Sequence, residues 1–140
     1  MAVCGIGGLW FSAFAIRQST QAQKEETKAQ RSSNLLAITA NHREIWKEFF
    51  RSPELARVID PSADMEQQPV TPAEEFFVNM VTSHTSSVYE ALKDELVIEQ
   101  EGLRRDVKLF FSLPVPKAVW RKSKPLQNQD FAAFIEFSLK

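Results

Sequence analysis

An uncharged apolar run at the amino terminus constrains this chain more than any other feature. Residues 2–16 (AVCGIGGLWFSAFAI) carry no charged side chain, and Arg17 opens a polar tract directly after them. A helix of this length reaches roughly 22 Å, which is shorter than the roughly 30 Å hydrocarbon core of a bilayer. Local thinning of the bilayer, snorkelling of Arg17 or additional residues upstream would close that difference. We therefore predict that residues 1–16 form a transmembrane signal-anchor segment.

Positive charge follows this run and does not precede it. Four basic residues lie close behind it, within reach of the positive-inside rule: Arg17, Lys24, Lys28 and Arg31. The asymmetry predicts a single-pass protein with its amino terminus outside and its C-terminal domain in the cytoplasm. Two alternatives stay open. One is a buried core helix, and the other is a cleaved signal peptide ending near Ala13-Phe14-Ala15, which would make the protein secreted.

A polar tract separates the apolar run from the rest of the chain. Residues 18–34 contain no large apolar residue, no glycine and no proline. Such a tract can be helical, but it has no apolar stripe to bury and no apolar a and d positions for a coiled coil. We predict three parts: a transmembrane segment (1–16), a polar helical stalk (17–34) and a helical bundle domain (35–140).

Apolar side chains recur at helical spacing throughout the predicted domain. One stripe comprises Leu35, Ile38, His42, Ile45 and Phe49. A second follows the capping signal Thr71-Pro72-Ala73-Glu74 and comprises Phe77, Val81, His84, Val88 and Ala91. Shorter stripes follow, and prolines at 114, 116 and 125 are predicted to stop them. No segment alternates with a period of two, so we predict an all-α, irregular bundle of two long antiparallel helices plus shorter C-terminal helices.

The two histidines occupy the centres of the two longest apolar stripes. His42 and His84 could therefore face each other in the core. A metal site is not predicted, because Thr39 and Val81 stand where a Glu-x-x-His motif would place its acids. The simplest interpretation is a pair of neutral, hydrogen-bonded core histidines. The alternative is a ligand-binding or pH-sensing pair, since burial shifts a histidine across the physiological range.

A short basic run near the carboxyl terminus is the second candidate site. It surrounds one tryptophan and comprises Lys117, Trp120, Arg121, Lys122 and Lys124. Lysine and arginine beside an aromatic ring suit phosphates or anionic lipid headgroups. The simplest interpretation is a solvated rim around a core tryptophan, and the alternative is an anionic-partner surface.

Composition excludes several classes of function. Seventeen basic residues oppose eighteen acidic ones, so the net charge of -1 offers no general attraction to nucleic acid. One cysteine and four glycines supply neither a Cys-based zinc site nor a phosphate-binding loop, and we predict no cofactor. The leading hypothesis is a non-enzymatic, membrane-anchored protein-interaction or scaffold domain with an unknown protein partner. An enzyme whose residues meet only in three dimensions is a further hypothesis.

Overall fold

A computed structural model describes the backbone of residues 25–93 and 97–140, and the side chains of residues 36–93 and 101–140. Within these ranges the protein is all-helical and contains no strand, which confirms the predicted class. The α-helices in chain order are α1 (Glu25–Arg51), α2 (Pro72–Leu92), α3 (Val97–Phe111), α4 (Pro114–Ser123) and α5 (Gln129–Ser138). Two 3-10 helices cover Pro53–Ile59 and Lys124–Leu126.

The predicted transmembrane segment, residues 1–16, lies outside the described residues, together with the first part of the predicted stalk. Among the helices that the structure does describe, none combines the length and the apolarity that a membrane span requires. Helix α1 begins at Glu25 and continues to Arg51. Its backbone therefore crosses the predicted boundary between stalk and domain without a break.

Helices α1 and α2 pack against each other along their apolar stripes. Near the end of α1, Trp46 and Phe49 contact Phe77, with ring centroids 6.2 and 5.6 Å apart. Two turns further along α2, His84 meets His42, which precedes Trp46 on α1. Residue numbers thus rise along one helix as they fall along the other, so the contacting stretches run antiparallel.

The start of α2 is fixed by a capping box and by an ion pair beneath it. Thr71 Oγ1 accepts a hydrogen bond from the Glu74 backbone N–H at 3.2 Å, and Glu74 Oε1 accepts one from the Thr71 N–H at 2.8 Å. Arg57 of the first 3-10 helix donates to both carboxylate oxygens of Glu74, at 2.9 and 2.7 Å. Arg57 also donates to the Pro69 carbonyl at 3.0 Å, which closes the loop between Ile59 and Pro72.

The C-terminal helices are joined through aromatic side chains. Phe111 at the end of α3 contacts Trp120 of α4, and Trp120 contacts Phe131 of α5, with ring centroids 5.7 and 6.1 Å apart. As predicted, α3 ends before Pro114 and Pro116, and these two prolines also form the first turn of α4. Proline suits that turn because its missing N–H would have no partner there in any case.

Candidate functional site

The structure brings the two predicted histidines together between α1 and α2. His42 and His84 are 4% and 3% exposed, and their ring centroids lie 5.7 Å apart at an angle of 39°. The Trp46 ring stands edge-on to His42 at a centroid distance of 6.3 Å. The pair is therefore enclosed by the packed helices, as the two stripes predicted.

Burial governs the protonation of this pair. Loss of solvent, with a smaller contribution from the positive charge of His42, lowers the pKa of His84 from its usual 6.5 to about 4. His84 is consequently neutral near pH 7. The described residues contain no group of three or more His, Cys, Asp or Glu side chains placed to share a metal ion.

A groove runs along the outside of the same two helices. It encloses about 670 Å³, and His84 forms part of its wall. Its lining includes apolar side chains and two carboxylates: Ile45, Phe76, Met80, Glu44 and Glu48. A second hollow of about 460 Å³ shares Ser87 with it and extends towards Ile38 and Glu90. We call the two hollows together the α1/α2 groove.

Four of the five residues in the predicted anionic-partner surface line one cleft. Lys117, Trp120, Arg121 and Lys124 face a hollow of about 420 Å³ whose remaining lining is Phe111, Ser112, Glu136 and Leu139. We call this hollow the α4/α5 cleft. Lys122 lies elsewhere, since its ammonium group donates to both carboxylate oxygens of Glu75 at 2.8 and 3.0 Å.

The indole nitrogen of Trp120 distinguishes the α4/α5 cleft from an ordinary basic surface. Trp120 is 2% exposed, and its Nε1–H has no hydrogen-bond acceptor among the described residues. Buried polar groups are normally hydrogen-bonded, and leaving a donor without a partner costs roughly 1–3 kcal/mol. The cleft thus combines positive charge with an unused donor.

The burial of two acids was not predicted from the sequence. Glu74 was predicted as part of the capping signal, and it is also only 1% exposed because Arg57 covers it. Asp106 on α3 is equally buried. Asp106 lies three residues after Leu103 and four before Phe110, which places it on the apolar face of the helix. This spacing could have predicted its burial from the sequence.

Comparison with known proteins gives no assignment: no family model, no curated protein and no solved structure matches this chain.

Proposed function

We propose that this protein is a non-enzymatic helical interaction domain, held at a membrane by residues 2–16, whose α1/α2 groove binds an amphipathic helix of a partner protein. The observation that carries the proposal is an apolar groove whose charged lining residues, among those that the structure describes, are carboxylates. The tether is supported by the uncharged run and by the basic residues that follow it.

The shape and apolarity of the groove support a helical ligand. Phe76 at one end of the groove is 68% exposed, which is unusual for a ring beside an apolar floor. Ile45 and Met80 continue that floor between the two helices, and Ile38 lies at the far hollow. A groove between two antiparallel helices accepts a third helix, which inserts side chains at spacings of three and four.

The charge of the rim supports a basic ligand. Glu44, Glu48 and Glu90 line the two hollows, and no lysine or arginine is among the described lining residues. Lys47 and Lys93 pair with Glu44 at 3.9 Å and with Glu90 at 2.7 Å, which neutralises part of this charge. Complementary charge steers the encounter and fixes the register of a bound helix. We therefore expect the partner helix to carry an apolar stripe flanked by lysine or arginine.

Site-specific photo-crosslinking tests this proposal. A benzophenone amino acid replaces Phe76 in the full-length protein, and the crosslinked peptide is sequenced by mass spectrometry from native membranes. We expect one partner peptide that is amphipathic and basic, and we expect Glu44→Lys with Glu48→Lys to abolish the adduct by charge reversal.

Phe50 provides the matched control. It is 64% exposed on α1 but does not line the groove. The same photoreactive group at position 50 should not give this adduct. Equal yields at both positions, or a crosslinked peptide that is acidic or uniformly polar, would contradict the proposal.

The membrane tether has its own test. A fluorescent protein that matures only in the cytoplasm is fused after Lys140, and membrane retention after alkaline washing and the mass of the fusion are measured. We expect fluorescence at full mass in the membrane fraction. A dark fusion shortened by about fifteen residues would instead identify a secreted protein with a cleaved signal peptide.

A pH-responsive domain is the second candidate function. The 5.7 Å contact between His42 and His84 favours it, because two adjacent imidazoles cannot both become charged without repulsion. His84 also belongs to the wall of the α1/α2 groove, so its protonation would alter the surface offered to a partner.

A further inference from the structure

We propose that the α4/α5 cleft binds a phosphate group, carried by a phospholipid headgroup or by a soluble phosphate ester, between Lys117, Arg121, Lys124 and the indole N–H of Trp120. This site is separate from the α1/α2 groove and does not depend on the proposed partner helix.

The positions of the cations on α4 give the first argument. Lys117, Arg121 and Lys124 are spaced by four and three residues, so they lie along one face of the helix and its 3-10 extension. Like charges at these spacings repel each other and destabilise a helix. A bound anion between them removes that repulsion.

The charge balance of the cleft gives the second argument. Among the described residues that line it, Glu136 is the one carboxylate, and it forms an ion pair with Lys124. Three cations less one carboxylate leave two positive charges facing the hollow. A phosphate monoester carries roughly -1.5 to -2 at pH 7, so it matches this excess better than a singly charged carboxylate does.

The unused donor gives the third argument. The Trp120 Nε1–H is buried without an acceptor among the described residues, and Trp120 forms part of the cleft lining. For a phosphate oxygen to accept this hydrogen bond, the side chains that cover Nε1 move aside while Arg121 holds the other oxygens. Hydrogen bonds to an ionised acceptor are about twice as strong as those between neutral groups.

The remaining lining fits the carbon portion of an ester. Leu139 is partly exposed and supplies apolar surface, while Phe111 and Trp120 close the inner side of the cleft with 1% and 2% of their surfaces exposed. With a volume of about 420 Å³ the cleft also has room for more than the phosphate itself. A partly apolar environment strengthens the charge interactions above it because water screens them less.

The indole resonance of Trp120 reports binding directly. The full-length protein is held in a maltoside detergent, which contains no phosphate, and its indole N–H signals are followed by ¹H–¹⁵N NMR. Trp120→Phe assigns the signal among the three tryptophans. We expect glycerol 3-phosphate to shift the Trp120 signal saturably, whereas sodium chloride at matched ionic strength does not.

A second titration distinguishes the two sources of phosphate. Short-chain phosphatidic acid, used below its micelle concentration, carries the same phosphate on a diacylglycerol. Tighter binding of this lipid than of glycerol 3-phosphate would identify a headgroup site, and equal binding would identify a soluble-ester site. A Trp120 signal that moves with neither ligand, or equally with chloride, would overturn the proposal.

Three variants separate a built site from general attraction to positive charge. Arg121→Gln should weaken binding by about tenfold or more, because a charge-assisted hydrogen bond is lost. Lys122→Gln is the matched control on the same helix, and it should leave the affinity unchanged because Lys122 pairs with Glu75 outside the cleft. Glu136→Gln should strengthen binding by releasing Lys124. Equal losses in Arg121→Gln and Lys122→Gln would overturn the proposal.

Discussion

His84 makes the stability of this protein sensitive to acid. Its folded pKa of about 4 lies below the usual 6.5, so the unfolded chain binds the proton more readily than the folded one. The free energy of unfolding should therefore have its full value above pH 6.5. It should fall by roughly 3 kcal/mol as the pH drops towards 4. We expect His84→Gln to lose most of this slope, measured by urea denaturation at a series of pH values.

The groups around His84 define the control for this titration. His42 faces it from α1, and the carboxylates of Glu44 and Glu48 line the same groove. Glu44→Gln removes a neighbouring charge that is exposed, so it should leave the slope largely intact. A wild-type protein whose stability stays flat between pH 4 and 6.5 would show that His84 is not held neutral by burial. A flat titration between pH 5 and 8 would eliminate the pH-sensing function.

At the scale of elements, the pair of Arg57 and Glu74 ties the first 3-10 helix to the start of α2. Burial alone would raise the pKa of Glu74, but the hydrogen bonds from Arg57 and from the Thr71 N–H lower it below its usual value. Arg57→Ala leaves this carboxylate buried without its cation. We expect a loss of roughly 3–5 kcal/mol in the free energy of unfolding at pH 7, measured by urea denaturation.

The neighbouring Glu75 provides the comparison for this ion pair. Its bond to Lys122 links α2 to α4 at the surface, with the Lys122 side chain 72% exposed. Exposed pairs contribute roughly 0–1 kcal/mol, so Glu75→Gln should cost far less than Arg57→Ala. Similar losses in the two variants would mean that the buried pair contributes no more than a solvated one.

These elements also show what the sequence could predict. Helical spacing identified the two long helices and both histidines, and the Thr71 to Glu74 capping box was visible because it depends on neighbours in the chain. The Arg57–Glu74 pair could not be predicted from the sequence, because an irregular loop separates its two partners along the chain. The stop before Pro114 was predicted correctly, but the start of α4 at Pro114 itself was not, because a proline that follows one helix can equally begin the next.

The sequence identified the basic cluster as one group of residues. Which of its members face the α4/α5 cleft depends on where α4 begins. Once α4 is known to begin at Pro114, Lys122 lies about 100° around the helix from Arg121. That rotation takes it out of the cleft and towards Glu75. The unused donor of Trp120 had no sequence signal at all, because it depends on which acceptors the fold brings near.

On the scale of the whole molecule, the α1/α2 groove and the α4/α5 cleft have no lining residue in common. The surface bond between Lys122 and Glu75 is one contact that joins α4 to the start of α2. A bond of this kind contributes roughly 1 kcal/mol at most, which limits how strongly it can couple two binding events. We therefore expect the two surfaces to act independently.

The affinity for glycerol 3-phosphate in a groove variant tests this independence. Phe76→Glu should prevent the partner helix from binding while changing the phosphate affinity by less than about twofold, because distant substitutions without shared partners are additive. Reciprocally, Arg121→Gln should leave crosslinking from position 76 unchanged. A tenfold effect in either experiment corresponds to about 1.4 kcal/mol. Such an effect would mean that ligands at the two surfaces shift the same conformational equilibrium of the bundle.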